Sequence, residues 1–337
     1  MQNHKLSLII CTYMRPEPLT KLLESVMTQS KVPDEILIID GSVDDSTGSR
    51  FRESGNNIIH YHNVPPEHRG LTKQRNYGIE RVSEDIDVVA FLDDDTILNS
   101  DYFEKLIATY AQFPKTVGVG GYITNEVSWE KVTQDHPENV DYFYYDGYRR
   151  KESSRYRLRR KLGLAQKTPP AVYPAFGHGR SISFLPPSGK IYKVEQLMGG
   201  VSSFPLSILK VHKFSEYFEG YGLYEDADFT LRLSNIGDLY VNTAAQLEHH
   251  HDAAGRPNQY KYGKMVVRNG WYVWRVKYPN PSFKNKVKWY QITILLTVIR
   301  FLNIFTTNQR KEAFTESLGR VVGCLSLISN SPKLKRT

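Results

Sequence analysis

Three consecutive aspartates, Asp93, Asp94 and Asp95, close the apolar run at residues 87–92, which contains Val88, Val89, Ala90, Phe91 and Leu92. A short apolar run rich in β-branched residues reads as a buried strand. Three carboxylates at the tip of a strand put dense negative charge on the carboxyl edge of a sheet, and unpaired they repel one another. Hard cations such as Mg²⁺ and Mn²⁺ relieve that repulsion, because they take carboxylate oxygens together with substrate phosphates. The triad therefore reads as a metal platform for a phosphorylated ligand. The plainer alternative is a solvated acidic turn in front of the next helix.

Three more apolar runs end in polar residues of complementary chemistry. After residues 6–11 come Thr12, Tyr13, Met14, Arg15 and Pro16; after 35–39 come Asp40, Gly41 and Ser42; after 57–62 a turn at Gly70 opens a helix that carries Arg75. A carboxylate accepts two hydrogen bonds and so suits a ribose or a base edge, whereas an arginine neutralises phosphate in a fixed fork. Together these residues hold the parts of a nucleoside-diphosphate site: Thr12 and Asp40 for the nucleoside, Arg75 near the diphosphate, Asp93 and Asp95 toward ribose and metal.

The elements that must position them alternate over the first 125 residues. Apolar runs at 6–11, 35–39, 57–62 and 87–92 are interleaved with helical patterns at 17–29, 70–82 and 101–113. That alternation predicts an α/β fold with a mostly parallel sheet covered on both faces, and such sheets bind ligands outside the carboxyl ends of their strands. Residues 142–167 hold an aromatic stretch followed by an arginine-rich one and show no clear period. A helix is expected from Glu225 to Gly237, then a strand from Asp238 leading to His249, His250 and His251. From residue 256 the pattern turns helical, at 260–278, 283–305 and 309–328. The central apolar run 292–299 falls short of the ~20 residues that cross a bilayer. Flanked by Lys284, Lys286 and Lys288, it fits a helix in a membrane interface, or one packed on the catalytic domain or on another chain.

The order of these motifs resembles glycosyltransferase family 2. The residues that carry the likeness run from Ile9 through Arg15, Ile38 through Ser42, Gln74 through Ile79, Phe91 through Asp95, Gly199-Gly200, and Tyr224 through Arg232, so the match spans roughly residues 5–251. The resemblance implies a GT-A fold, an inverting transfer from a UDP-, dTDP- or GDP-sugar, and a hydroxyl acceptor on a saccharide or lipid carrier. It further implies that Asp40 holds the base, Asp93 the ribose, and Asp95 the metal between the phosphates. Thr12, Tyr13, Arg15, Arg75, Asp94, Gly199 and Gly200 would line the donor. Asp226 would be the general base, with Glu225 beside it to raise its pKa. His249 or His251 would add a metal ligand, and an imidazole beside carboxylates favours Mn²⁺ over Mg²⁺. Many members carry two adjacent aspartates after the second strand; here Gly41 follows Asp40, with Asp44 and Asp45 displaced onward.

The implied organisation is a catalytic domain at 1–255, with a nucleotide-binding half at 1–96 and an acceptor and catalytic half at 97–255, then a helical region at 256–337 that either associates with membrane or packs on protein. The chain has 44 basic and 36 acidic residues, a formal charge of +8. Such a surface suits phosphates, anionic lipid or nucleic acid. Two cysteines give no disulfide framework, and the first residues lead straight into a strand. Both favour a cytoplasmic location. The basic stretch at 149–161 and the apolar C-terminal helix point to peripheral contact with the inner face of the membrane. Polysaccharide or cell-envelope assembly is what the family resemblance implies. Two rival functions follow from the same residues: a nucleic-acid binder using the arginine-rich segment, which the acidic strand ends oppose, and a metal-dependent hydrolase.

Overall fold

The computed structural model describes residues 4–52, 55–132, 139–218, 221–250 and 258–334. The expected ligand His251 lies outside the described residues. The chain forms two compact units, one of Met1–Ser128 with Leu185–Ala253, the other of Trp129–Phe184 with Ala254–Thr337.

In the first unit the chain runs β1 (Leu6–Thr12), α1 (Pro16–Met27), β2 (Glu35–Asp40), α2 (Gly48–Phe51), β3 (Ile59–Asn63), α3 (Leu71–Ile79), β4 (Val88–Asp93), β5 (Thr96–Leu98), α4 (Tyr102–Gln112) and β6 (Thr116–Ile123). Pro16 starts α1, where a missing N–H costs nothing, and Leu19, Leu22, Leu23 and Val26 form its buried face. Strands β1, β2 and β4 are buried almost throughout, as strands covered on both faces must be. They pair in parallel, with Thr12 opposite Asp40 and Cys11 opposite Asp93. The register therefore delivers three polar strand ends to one edge.

After an excursion into the second unit, the first resumes with β10 (Ile191–Val194), β11 (Val201–Pro205), α6 (Leu206–Val211), α7 (Glu225–Leu233) and β12 (Asp238–His249). The strand order is β10-β12-β6-β11-β4-β1-β2-β3, with β5 paired to β12. The expected mostly parallel sheet holds for β3-β2-β1-β4 and for β6-β12. However, β11 enters antiparallel between β4 and β6, and β10 and β5 pair antiparallel with β12. Strict strand–helix alternation ends at residue 113, and each antiparallel pair joins strands far apart in the chain, as β4 at residue 93 and β11 at residue 201. Antiparallel entry has a direct consequence: the start of β11, not its end, lies at the ligand edge.

The second unit begins with β7 (Glu130–Lys131), the hairpin β8 (Tyr142–Tyr145) and β9 (Tyr148–Lys151), and α5 (Ser154–Lys161). The segment that showed no period is thus ordered, through guanidinium–aromatic stacking rather than an apolar face. Arg180 lies 4.4 Å from the Phe143 ring centre and Arg150 4.3 Å from that of Phe184. Buried Glu152 pairs with Arg180 at 2.6 Å and Arg160 at 3.1 Å. The unit closes with α8 (Gln259–Lys277), α9 (Phe283–Leu302) and α10 (Arg310–Ser329). Helices α8 and α10 touch backbone to backbone. A Cβ on Gly263 would collide with the Glu316 carbonyl, and one on Gly319 with the Tyr260 carbonyl. Helix α9 is anchored by Trp289, stacked on Trp274 with 5.4 Å between ring centres. With the turn after it, α9 is the one stretch among the described residues long and apolar enough to cross a membrane (Phe283–Phe305, mean hydropathy 1.2). The uninterrupted apolar run read from sequence was shorter because it stopped at Arg300.

Candidate active site

The acidic triad sits in the turn between β4 and β5, and each carboxylate meets a different environment. Asp94 is almost fully buried; it accepts a hydrogen bond from Thr12 Oγ1 at 2.7 Å and pairs with Arg15 Nη1 at 2.8 Å. Burial pushes its pKa up to about 6, against the pull of Thr12 and Arg15. Asp95 pairs with Arg15 at 3.2 Å and with His249 Nε2 at 3.0 Å. Its burial is outweighed by these partners, which hold the carboxyl below its usual range. Asp93 is the outward one, with 42% of its side chain exposed and Arg75 Nη2 3.8 Å behind it. The triad is therefore not the unpaired cluster that its sequence suggested, since the chain brings its own cations.

Topology explains why His249 is there. The tip of β12 pairs antiparallel with β5, His249 opposite Thr96, and the His250 N–H donates to the Asp95 carbonyl at 2.8 Å. The other ring nitrogen of His249 pairs with Glu126 Oε1 at 3.0 Å. Burial disfavours its charge, but the bonds to Asp95 and Glu126 prevail and raise its pKa to about 10. Ligand atoms of Asp93, Asp95 and His249 all lie within 4.8 Å of one another. Two carboxylates and an imidazole at that spacing fit a divalent cation such as Mn²⁺. Glu126 was missed by the sequence reading, because only the fold brings residue 126 to residue 249.

The Gly199-Gly200 loop lies against this cluster. The Gly200 carbonyl accepts from the Asp93 N–H at 3.1 Å, and a Cβ on Gly200 would fall on the Asp93 carboxylate. A Cβ on Gly199 would sit 2.8 Å from Arg75 Nη1 and collide with Glu225 Oε1. Only glycine lets the backbone approach so closely. Asp226 stands across the loop: Oδ2 accepts from the Gly199 N–H at 3.3 Å and Oδ1 from the Ala227 N–H at 2.7 Å. Burial raises its pKa despite these bonds and the nearby Arg75. Tyr224, the residue before α7, is left-handed at φ 72°, a conformation that costs a non-glycine residue on the order of 1 kcal/mol.

Two expected binders are placed differently from what their types suggest. Arg75 is 2% exposed and lies under the site, 2.5 Å from Glu225 Oε1 and over the rings of Phe214 and Phe91. It joins Glu225 to Asp93 rather than facing outward. Burial pushes the Glu225 carboxyl up to about 8, in spite of Arg75. Asp40 is fully buried, with Oδ1 accepting from the Ser42 N–H and hydroxyl and Oδ2 from the Tyr61 hydroxyl at 2.7 Å. Ser42 in turn accepts from the Met14 N–H at 2.7 Å, so Asp40 braces the loop that presents Tyr13, which is half exposed.

The model of glycosyl transferase family 2 matches residues 7–180, more than half the chain. The protein belongs to that family. Among curated relatives, the glucosyl-dolichyl phosphate glucuronosyltransferase of Haloferax volcanii is 33% identical over 124 residues, which is 35% of this chain and 38% of that protein. Glycosyltransferase GlyA of Streptococcus pneumoniae is 28% identical over 123 residues, 36% of this chain and 17% of that protein. The chain thus spans well under half the length of these relatives. Solved structures similar to it include S. aureus TarS, with 14% identity, a TM-score of 0.47, and coverage of 97% of this chain and 53% of the other. GalNAc-T7 with UDP, GalNAc and Mn²⁺ has 12% identity, a TM-score of 0.49, and coverage of 82% and 51%. The mixed α/β sheet with its parallel β3-β2-β1-β4 half is the GT-A architecture that the family resemblance implied.

Proposed function

We propose that this family 2 enzyme transfers a sugar from a nucleoside-diphosphate sugar to a hydroxyl of a saccharide or lipid-linked acceptor, with inversion at the anomeric carbon. One observation carries the reading: the Asp93–Asp95–His249 cluster and the Asp226 carboxylate flank a two-glycine loop at the carboxyl edge of the parallel strands. A metal-binding triad and a raised carboxylate on either side of a close-approach backbone suit a leaving diphosphate and an incoming hydroxyl.

Asp93, Asp95 and His249 would hold a divalent cation, Mn²⁺ or Mg²⁺, which when bound supplies positive charge to the departing diphosphate. Asp226 takes the acceptor's proton. Its raised pKa makes it a stronger base than an exposed aspartate, and the two backbone N–H groups fix its plane. Arg75 and Glu225 act as positioning residues: the pair holds Asp93 from below and fixes the start of α7. Thr12, Tyr13 and Arg15 border the nucleoside, and Asp40 orders that wall through Ser42 and Tyr61 instead of touching the base. The Haloferax relative, named for glucosyl-dolichyl phosphate, supports a lipid-linked acceptor. The nucleic-acid alternative is disfavoured because arginines of the basic segment are engaged by Glu130, Asp141 and Glu152. Family membership weighs against a simple hydrolase.

A thermal-shift panel of UDP-, dTDP- and GDP-sugars, with and without Mn²⁺, tests the donor site, because a ligand that binds only the folded state raises Tm by mass action. One nucleotide sugar should stabilise the protein in a metal-dependent way, and Asp226→Asn should bind it equally while losing transfer. No shift from any donor, or full transfer by Asp226→Asn, refutes the assignment.

A further inference from the structure

The second unit carries a surface that the transfer reading does not use. On α10, Phe314, Leu318, Val321, Leu325 and Ile328 are all exposed, between 45% and 83%. On α9, Val287, Ile294, Val298 and Phe301 are exposed between 39% and 56%. Spacings of three, four and seven residues keep the α10 set within an arc of about 80° and the α9 set within about 60°, at 100° per residue. Two neighbouring helices thus turn apolar stripes outward, although each already buries another side: Trp289, Ile292 and Thr293 on α9, Ala313, Gly319 and Gly323 on α10. Solvent alone does not account for two such stripes on a monomer surface.

Charge identifies the occupant. Residues 259–329 hold twelve lysines and arginines against two glutamates, so this segment carries +10 while the rest of the chain sums to −2. Of the two acids, Glu316 is buried and taken by Arg300 at 2.6 Å and Arg320 at 2.7 Å. Helix α9 contains no acidic residue, and exposed Lys284, Lys286, Arg310 and Lys311 stand at the starts of α9 and α10. A second copy would bring like charge against like charge around any shared apolar seam. An anionic lipid surface reverses that: each basic side chain near it contributes attraction while apolar side chains enter the acyl boundary. Packing also sets the geometry. His178 Nε2 bonds Thr293 Oγ1 at 2.9 Å and Trp289 stacks on Trp274, so the inner side of α9 stays with the protein and only its outer side is free to meet lipid.

We propose that the outer faces of α9 and α10 form a docking surface for an anionic bilayer, on which these helices lie in plane rather than cross. The proposal stands apart from the donor-site reading. Its test is flotation of the full chain with vesicles of phosphatidylcholine alone and of phosphatidylcholine with phosphatidylglycerol, at rising salt. The protein should float with the phosphatidylglycerol vesicles, less as salt rises, and hardly at all with phosphatidylcholine. The double exchange Ile294→Glu/Leu318→Glu should cut partitioning roughly a hundredfold, and Lys284→Glu/Lys286→Glu should weaken it and flatten its salt dependence. Both variants should keep the wild-type circular dichroism and the wild-type donor-induced Tm shift, which separates failure here from failure of the transfer reading. Absence of binding to the anionic vesicles, or binding unchanged in the Ile294→Glu/Leu318→Glu variant, overturns the proposal. So does a vesicle-free dimer in sedimentation that this variant disperses, which would assign the face to a second copy.

Discussion

Replacing Arg75 with methionine removes the guanidinium from Glu225 while keeping most of the buried volume. Glu225 is then a buried carboxyl with no cation within reach, and it folds only by taking up a proton. Burial already raises its pKa from 4.5 to about 8 with Arg75 present. Holding that proton at pH 7 costs about 3.4 kcal/mol, from 1.36 kcal/mol per unit over about 2.5 units, and about 0.8 kcal/mol at pH 5. A folded pKa above the unfolded one gives stability that is full below pH 4.5 and is lost as pH rises. Because the wild-type carboxyl already titrates near 8, wild type and Arg75→Met should both lose about 2.6 kcal/mol between pH 5 and pH 7. The extra deficit of Arg75→Met should open above pH 8 and reach about 1.4 kcal/mol at pH 9, where wild type ionises against Arg75 and the variant cannot. Arg75→Met/Glu225→Gln should abolish the dependence. The probe matters, because all four tryptophans (Trp129, Trp271, Trp274, Trp289) belong to the other unit and are blind to this site. Native-state hydrogen exchange of peptides spanning β4 and α7, at pH 7 and pH 9, reads the right region. Equal loss of protection at both pH values, or a double variant no better than the single, refutes the reasoning.

Gly200→Ala should keep the fold but displace Asp93, with Mn²⁺ affinity by calorimetry falling at least about tenfold, since overpacking of this kind costs ~1–3 kcal/mol. In the second unit, burial pushes His178 down to about 3, helped by Arg159; its contribution is full above pH 6.5 and lost toward pH 3. Urea unfolding followed by tryptophan emission should show about 2 kcal/mol less stability at pH 5 than at pH 7, and His178→Asn, which tolerates the left-handed backbone at φ 55°, should flatten that slope. Gly319→Ala should lower the urea midpoint despite alanine's better helix propensity (~1 kcal/mol), because its Cβ meets a carbonyl and not a side chain; an unchanged or raised midpoint would show that the helices part freely.

Much of the catalytic edge was legible because strand ends are written locally: an apolar run stops and polar residues follow. Parallel pairing then needs no further information to bring Thr12, Asp40 and Asp93 together. Two kinds of feature were not legible. Antiparallel entry of β11 and the β12–β5 pairing are long-range choices, so Gly200 over Asp93 and Glu126 beside His249 have no local signature. Direction was hidden as well. Arg75 looks like a phosphate binder by type, yet the aromatic rings of Phe91 and Phe214 draw it under the sheet edge, where Glu225 completes it. Asp40 likewise faces inward, since Tyr61 on the neighbouring strand and Ser42 two residues on both reach its oxygens. The stripe on α10 escaped because charged residues at intervening positions dilute its average hydropathy.

That Arg15 and His249 already neutralise the acidic turn has a practical meaning for handling the protein. Folding and loading become separate events, so a chelator should strip the active centre without melting the molecule. The reverse holds for Arg15: with that guanidinium gone, Asp94 and Asp95 would depend on an outside ion even to stay together, and a robust apoprotein would become one whose integrity tracks the metal in its buffer.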